Sequence, residues 1–169
     1  MVNNLLEDSH RKHLKEISCK ALTEASKIAT KLKNSIQVTY KSESQPVTNA
    51  DREINNYLKS YFKTHTPNFG WLSEESYDDK SRLKRDFFWC LDPIDGTRSY
   101  INKKPEYTIS LALIQKSQPV IGHILNPETK EYFYAEKNNG AFCNEKKITV
   151  NNPLKLDECK IAISSSEIK

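Results

Sequence analysis

The sequence predicts an α+β domain in which two N-terminal helices pack on a largely antiparallel sheet. Apolar residues recur at three- and four-residue steps through the first third of the chain, marking two amphipathic helices. After Pro67-Asn68 the pattern changes to short apolar runs set apart by turn residues. No internal repeat or low-complexity tract breaks this order, and helices followed by a strand meander are the pattern of an α+β layered domain.

The first helix runs from about Leu5 to Asn34, with Leu14, Ile17, Ala21, Ala25, Ile28 and Leu32 on one face. Ile36 to Tyr40 alternates as a short strand, and Lys41 to Pro46 reads as a turn. The second helix begins near Thr48-Asn49-Ala50-Asp51, where capping side chains precede the acidic Asp51 and Glu53, and it carries Ile54, Tyr57, Leu58 and Tyr61 inward. Two strands, Phe69 to Leu72 and Phe87 to Leu91, flank a charged segment from Tyr77 to Asp86, and both run into carboxylates. Tyr107 to Gln115, Val120 to Leu125, Glu131 to Ala135, Ala141-Phe142 and Ile148 to Val150 continue the meander. Residues 1–158 then form one α+β domain, and Cys159 to Ser166, within 159–169, reads as the first strand of a second unit.

The chain has 169 residues, 28% of them charged, and a formal net charge of +4. That length supports one domain with a real core. No apolar run reaches the roughly 18–20 residues of a membrane span, and the first residues lack the pattern of a secretory signal, so a cytoplasmic protein is expected. The positive charge is scattered, which argues against a nucleic-acid polymer as partner. Cys19, Cys90, Cys143 and Cys159 are far apart and form no Cys-x-x-Cys pair, so reduced thiols are expected. His10 and His13 share a helix face with no further ligand and read as a solvated pair.

The chemistry concentrates in Leu91-Asp92-Pro93-Ile94-Asp95-Gly96-Thr97-Arg98. Two carboxylates three residues apart at the end of an apolar strand need a partner, and a cation supplies one. Pro93 fixes the local φ so that Asp92 and Asp95 turn to one side, with the Ile94 carbonyl as a further hard oxygen. An oxygen-only set suits Mg²⁺, with Mn²⁺ also compatible. Gly96-Thr97 opens a short helix through Tyr100-Ile101 whose backbone N–H groups offer a phosphate cradle. Ser73-Glu74-Glu75-Ser76 ends the preceding strand and Asp51 starts a helix, so three acidic element ends converge, as a two-metal phosphoryl site requires. Taken singly, each stretch reads equally as a turn, a solvated loop or a helix start.

Pro46-Val47-Thr48-Asn49-Ala50-Asp51, Leu72-Ser73-Glu74-Glu75-Ser76 and Trp89 to Tyr100, in that order, resemble three signatures of the inositol monophosphatase superfamily, and Gly140 to Asn144 is similar to a later family segment. The resemblance implies a Mg²⁺-dependent phosphomonoesterase. It implies that Glu74, Asp92 and the Ile94 carbonyl hold one Mg²⁺, and that Asp92 and Asp95 share in a second. Glu74 and Thr97 would position water, Asp51 would accept from the Thr97 hydroxyl, Asp95, Gly96 and Thr97 would meet the phosphate, and Glu75 would only support its neighbours. Lys103 to Ile114 and Ser164-Ser165-Ser166 are similar to the 3'(2'),5'-bisphosphate nucleotidase branch, which favours a bisphosphate nucleotide as substrate; inositol monophosphate and histidinol phosphate are the alternatives. The family's second α/β domain, with its Trp-Asp-x-Ala signature, is missing. An incomplete enzyme is therefore expected, completed by a separately encoded C-terminal part, or else an inactive fragment or a non-catalytic binding module; the resemblance also implies a homodimer as a partner.

Overall fold

The structure, a computed structural model, describes residues 8–150 together with 155, 159 and 160. Helix α1 (Asp8–Leu32) buries Leu14, Ile17, Ala21, Leu22, Ala25 and Ala29. Helix α2 (Asn49–His65) buries Ala50, Ile54, Leu58 and Phe62 at successive steps of four. These two stripes meet, as apolar positions at this spacing must when a sheet lies beneath them. Tyr57 and Tyr61, expected inward, are half-buried and pack against the core, Tyr61 also stacking on His65; Phe62 goes fully inside, its ring stacked on that of Trp89 with centroids 4.3 Å apart.

Strands β1 (Val38–Ser42) and β2 (Gln45–Thr48) form a separate two-stranded ribbon. The expected turn over Lys41 to Pro46 is therefore mostly strand, because Pro46 pairs with Tyr40 in a ribbon with no third strand to need its missing N–H. The main sheet takes seven strands in chain order: β3 (Gly70–Ser73), β4 (Phe87–Asp95), β5 (Thr108–Gln115), β6 (Gln118–Leu125), β7 (Tyr132–Glu136), β8 (Gly140–Cys143) and β9 (Lys146–Ile148). Every pair is antiparallel except β3–β4, whose crossover contains a 3₁₀ turn at Ser81–Lys84. Strand β9 ends before Val150, which is exposed rather than paired. The strand expected from Cys159 lies outside the described residues, apart from Cys159 and Lys160, which are exposed and in no strand. Among the described residues no helix is long and apolar enough to cross a membrane, and the four cysteines are free thiols.

Strand alternation gives the sheet two unlike faces. Leu91, Leu111, His123 and Tyr134 lie in register on the helix side and are buried. On the other side Cys90, Ala112, Gly122, Ala135 and Ala141 also lie in register, a row of small side chains crossing five strands. A Cβ placed on Gly122 would meet nothing within 4 Å. This trough opens into a hollow of about 410 Å³ edged by Ile124, Phe133 and Ile148, all exposed.

A buried polar chain ties α1 to the sheet. Ser18 Oγ lies 2.7 Å from the Leu14 carbonyl and 2.9 Å from His123 Nε2. His123 Nδ1 lies 2.6 Å from the Tyr132 hydroxyl, which is 2.9 Å from Cys19 Sγ. One arrangement satisfies every group: Ser18 donates to Leu14 and accepts from Nε2–H, while Tyr132 donates to Nδ1 and accepts from the thiol.

Phe62→Ala is expected to cost about 3–5 kcal/mol, because it leaves a ring-sized void against Trp89. Urea unfolding measures it, and a loss below about 1 kcal/mol would show that the ring is not part of the tight core.

Candidate functional site

The acidic residues converge because three elements end at one edge of the core. Strand β4 carries the central pair. Its register with β5 passes from Asp92↔Ser110 to Asp95↔Thr108, so three steps along β4 oppose two along β5. A regular strand would put residues three apart on opposite faces; this bulge at Pro93-Ile94 returns Asp95 to the face of Asp92. Asp92 is half-buried and its Oδ1 has no hydrogen-bond partner, while Asp95 is exposed.

Asp51 comes from the first turn of α2. Thr48 caps that helix: its hydroxyl accepts from the Ala50 and Asp51 amides, and Asp51 Oδ2 accepts from the Thr48 amide at 2.8 Å and from the Thr48 hydroxyl. The second carboxylate oxygen, Oδ1, is left facing Thr97, whose hydroxyl lies 3.5 Å away. That hydroxyl has a nearer acceptor in the Ile94 carbonyl at 3.0 Å. Burial raises the Asp51 pKa, and the Thr48 hydrogen bonds work against it.

Glu74 and Glu75 follow β3. The turn is held from below, where the buried Ser73 hydroxyl accepts from the Glu75 amide at 3.2 Å and the Ser76 hydroxyl donates to the buried Asn55 at 3.1 Å. Ligand atoms of Asp51, Glu74 and Glu75 all lie within 4.8 Å of one another. Burial, then the adjacent Glu74 carboxylate, and further off Asp95 and Asp51, push the Asp92 pKa up to about 7. The structure thus groups Asp51, Glu74 and Glu75 most tightly and sets Asp92 beside Glu74, with Thr97 and the Ile94 carbonyl alongside. Glu75, which sequence reasoning left in support, is a full member of the cluster. Lys41, read as part of a turn, places Nζ 2.6 Å from Glu75 Oε1. No local pattern marks that partnership, because the two residues stand 34 positions apart.

A cleft of about 370 Å³ opens over this cluster, lined by Lys41 and Gln45 of the ribbon, Glu74 and Glu75, and Gly96, Thr97 and Arg98 at the head of α3 (Thr97–Ile101). Gly96 has φ +94°, and a Cβ there would lie 2.7 Å from the Glu106 carbonyl oxygen. Gly96→Ala is therefore expected to cost about 2 kcal/mol, through the left-handed backbone and the clash together. Thermal unfolding of the variant checks this; an unchanged Tm would mean that the loop relaxes freely.

The donor set fits a hard divalent cation. Every candidate ligand is an oxygen, several carboxylates crowd together, and one buried carboxylate oxygen has no partner. The carboxylates that the structure brings closest for it are Asp51, Glu74 and Glu75, with Asp92 beside Glu74.

Known proteins resemble this chain in sequence and in fold. The chain is 34% identical over 119 residues to inositol monophosphatase 2 of Saccharomyces cerevisiae, an alignment spanning 69% of this chain and 41% of that protein. It is 32% identical over 148 residues to the 3'(2'),5'-bisphosphate nucleotidase CysQ of Buchnera aphidicola, spanning 83% of this chain and 56% of that one. An inositol monophosphatase structure from Thermotoga maritima superposes with a TM-score of 0.79 at 28% identity, covering 87% of this chain and 57% of that chain. A dual inositol-monophosphate/NADP phosphatase, solved with NADP and Ca²⁺, superposes equally well, with a TM-score of 0.79 at 25% identity. The chain spans about half the length of the curated relatives it matches. The inositol monophosphatase family domain matches residues 10–168, and the chain belongs to that family.

Proposed function

We propose that this chain forms the cation- and phosphate-binding part of a Mg²⁺-dependent phosphomonoesterase acting on a small phosphorylated metabolite. The observation that carries the reading is Asp92, a half-buried carboxylate beside Glu74 with an oxygen left unpartnered. A carboxylate in that setting is stable as an anion only with a cation against it.

In this reading Glu74, Asp92 and the Ile94 carbonyl hold one Mg²⁺, and Asp92 and Asp95 contribute to a second; Mn²⁺ suits the same oxygens. A bound divalent cation supplies positive charge for phosphate oxygens and lowers the pKa of water. The Ile94 carbonyl has two lone pairs, so accepting from Thr97 leaves one for a cation. Thr48 fixes Asp51, Asp51 Oδ1 faces the Thr97 hydroxyl, and Thr97 with Glu74 orients the attacking water. The backbone amides of Gly96 and Thr97, at the cleft wall, hold the phosphate.

The favoured substrate is a 3'(2'),5'-bisphosphate nucleotide. The likeness to the Buchnera nucleotidase extends over more of this chain than the likeness to the yeast inositol monophosphatase, and Arg98 in the cleft is placed to meet a second phosphate. Inositol monophosphate is the second reading, supported by the yeast and Thermotoga relatives. Phosphate release from adenosine 3',5'-bisphosphate and from inositol 1-phosphate decides between them, measured with this chain alone and with it joined to the C-terminal half of the Buchnera protein. Mg²⁺-dependent release by the joined protein is expected, with the bisphosphate preferred. A folded, joined protein that releases phosphate from neither substrate would overturn the function.

A further inference from the structure

Gly96 abuts the chain that returns from α3 to β5: a Cβ on it would meet the Glu106 carbonyl oxygen and the Tyr107 Cα. Residues 102–107 of that return lie outside every strand, and ties from other elements converge on them. Lys33 Nζ donates to the Lys104 carbonyl at 3.2 Å, Asn126 Nδ2 to the Pro105 carbonyl at 2.9 Å, and the hydroxyl of buried Tyr107 to Glu128 Oε1 at 2.7 Å. The same Glu128 Oε1 accepts from Lys33 Nζ at 2.9 Å, so one oxygen joins the region just beyond α1, the β6–β7 turn and the return. Asn126 shapes that turn by accepting from the Glu128 and Thr129 amides. The Lys33 hydrogen bond, then that from Tyr107, holds the Glu128 carboxyl below its usual range, so it is charged at neutral pH. The Lys33 side chain is only 14% exposed, which limits screening of the pair. Tyr107 packs edge-on against Tyr100, whose hydroxyl donates to the Ala29 carbonyl at 2.8 Å, so α3 is fixed to the same end of α1.

We propose that Glu128 is a positioning residue for phosphate: by joining Lys33 to Tyr107 it fixes the return behind Gly96, and with it the direction of the Gly96 and Thr97 amides at the cleft wall. The inference rests on the phosphate-binding reading above. The carboxylates are held separately, Asp92 by the pairing of β4 with β5, and Glu74 and Glu75 by Ser73 and Asn55 beneath their turn. Loosening the Glu128 clamp therefore weakens phosphate binding and spares the cation, because a hydrogen-bond donor that drifts from its aim loses strength steeply.

The test is titration calorimetry of the 169-residue chain, first with Mg²⁺ and then with inorganic phosphate at saturating Mg²⁺. Glu128→Ala is expected to weaken phosphate binding by about 10-fold, the scale of one lost hydrogen bond to a charged group, and to change Mg²⁺ affinity by less than about 2-fold. A plain charge effect has the opposite sign, because removing a negative charge by itself tightens the binding of an anion. Glu128→Gln, whose amide oxygen can accept from both Lys33 and Tyr107, should keep phosphate affinity within about 2-fold of the wild type. Tyr107→Phe, which removes only the hydroxyl, should show the same split at about 3-fold. Phe62→Leu loosens the core away from this loop and should move neither affinity. Unchanged phosphate affinity in Glu128→Ala and Tyr107→Phe, equal losses of phosphate and Mg²⁺ affinity, a like loss in Phe62→Leu, or no rescue by Glu128→Gln overturns the positioning role alone. No phosphate heat in the wild type overturns the phosphate-binding reading and this inference with it.

Discussion

Asp92→Asn is expected to weaken Mg²⁺ binding by at least 100-fold while leaving the cation-free protein more stable. Both effects have one origin. The Asp92 carboxyl is pushed up to about 7 by burial first and by Glu74 next, so at neutral pH its charge is held against the preference of its surroundings. Asparagine keeps the shape and removes the charge, which relieves the repulsion with Glu74. Because the side chain retains substantial solvent contact, the gain is discounted to about 1 kcal/mol. It also removes a carboxylate that would hold the cation, and a divalent ion among hard oxygens depends on ligand charge. Calorimetry reads the lost affinity and urea unfolding without metal reads the gained stability. A variant that is less stable without metal would mean that Asp92 is a structural anchor.

Acid is expected to unfold the protein through His123. Burial, aided by Lys15, pulls its pKa down from 6.5 to about 3. In the unfolded chain the ring charges as the pH falls through 6.5, while in the folded chain it stays neutral to about 3. The unfolded state therefore binds more protons throughout that window, and stability drops as pH falls across it, by several kcal/mol in all. Above 6.5 the contribution is complete. His123→Phe should flatten the pH dependence between 6.5 and 4, at the cost of leaving Ser18 and Tyr132 each short of a partner, about 1–3 kcal/mol apiece. Chemical unfolding at a series of pH values measures the slope, and an unchanged slope in the variant would assign acid sensitivity to the carboxylates instead.

Much of the fold was legible because it rests on local signals. The four-residue stripe of α2, its Thr48 cap and the strand alternation from β5 to β8 are each written within a few residues. The same holds for Asp92 and Asp95, whose shared face follows from a proline and a bulge next to them. Legibility failed where partners are remote or where two neighbours compete. Tyr61 and Phe62 offer similar aromatic bulk, and only the sheet decides that Phe62 stacks on Trp89 while Tyr61 packs half-buried at the edge of the core. Lys41 sits in an exposed ribbon with no pattern to distinguish it from the other lysines, and His123 reads as one polar position in a strand until Ser18 and Tyr132 close around it.

The register of the open sheet face carries a thermodynamic consequence. Asp92, Ser110, Ile124, Phe133 and Cys143 form the row beside the small-residue trough, so the carboxylate stands at the rim of an apolar surface. An apolar layer laid over that trough strips water from Ile124 and Phe133 with profit to stability, and strips it from Asp92 with a penalty as long as the carboxylate is ionised and alone. A cation held at Asp92 would remove that penalty. Cation binding and any covering of this face would then be linked reciprocally: whatever factor the ion added to the affinity of a covering layer, that layer would return to the affinity of the ion.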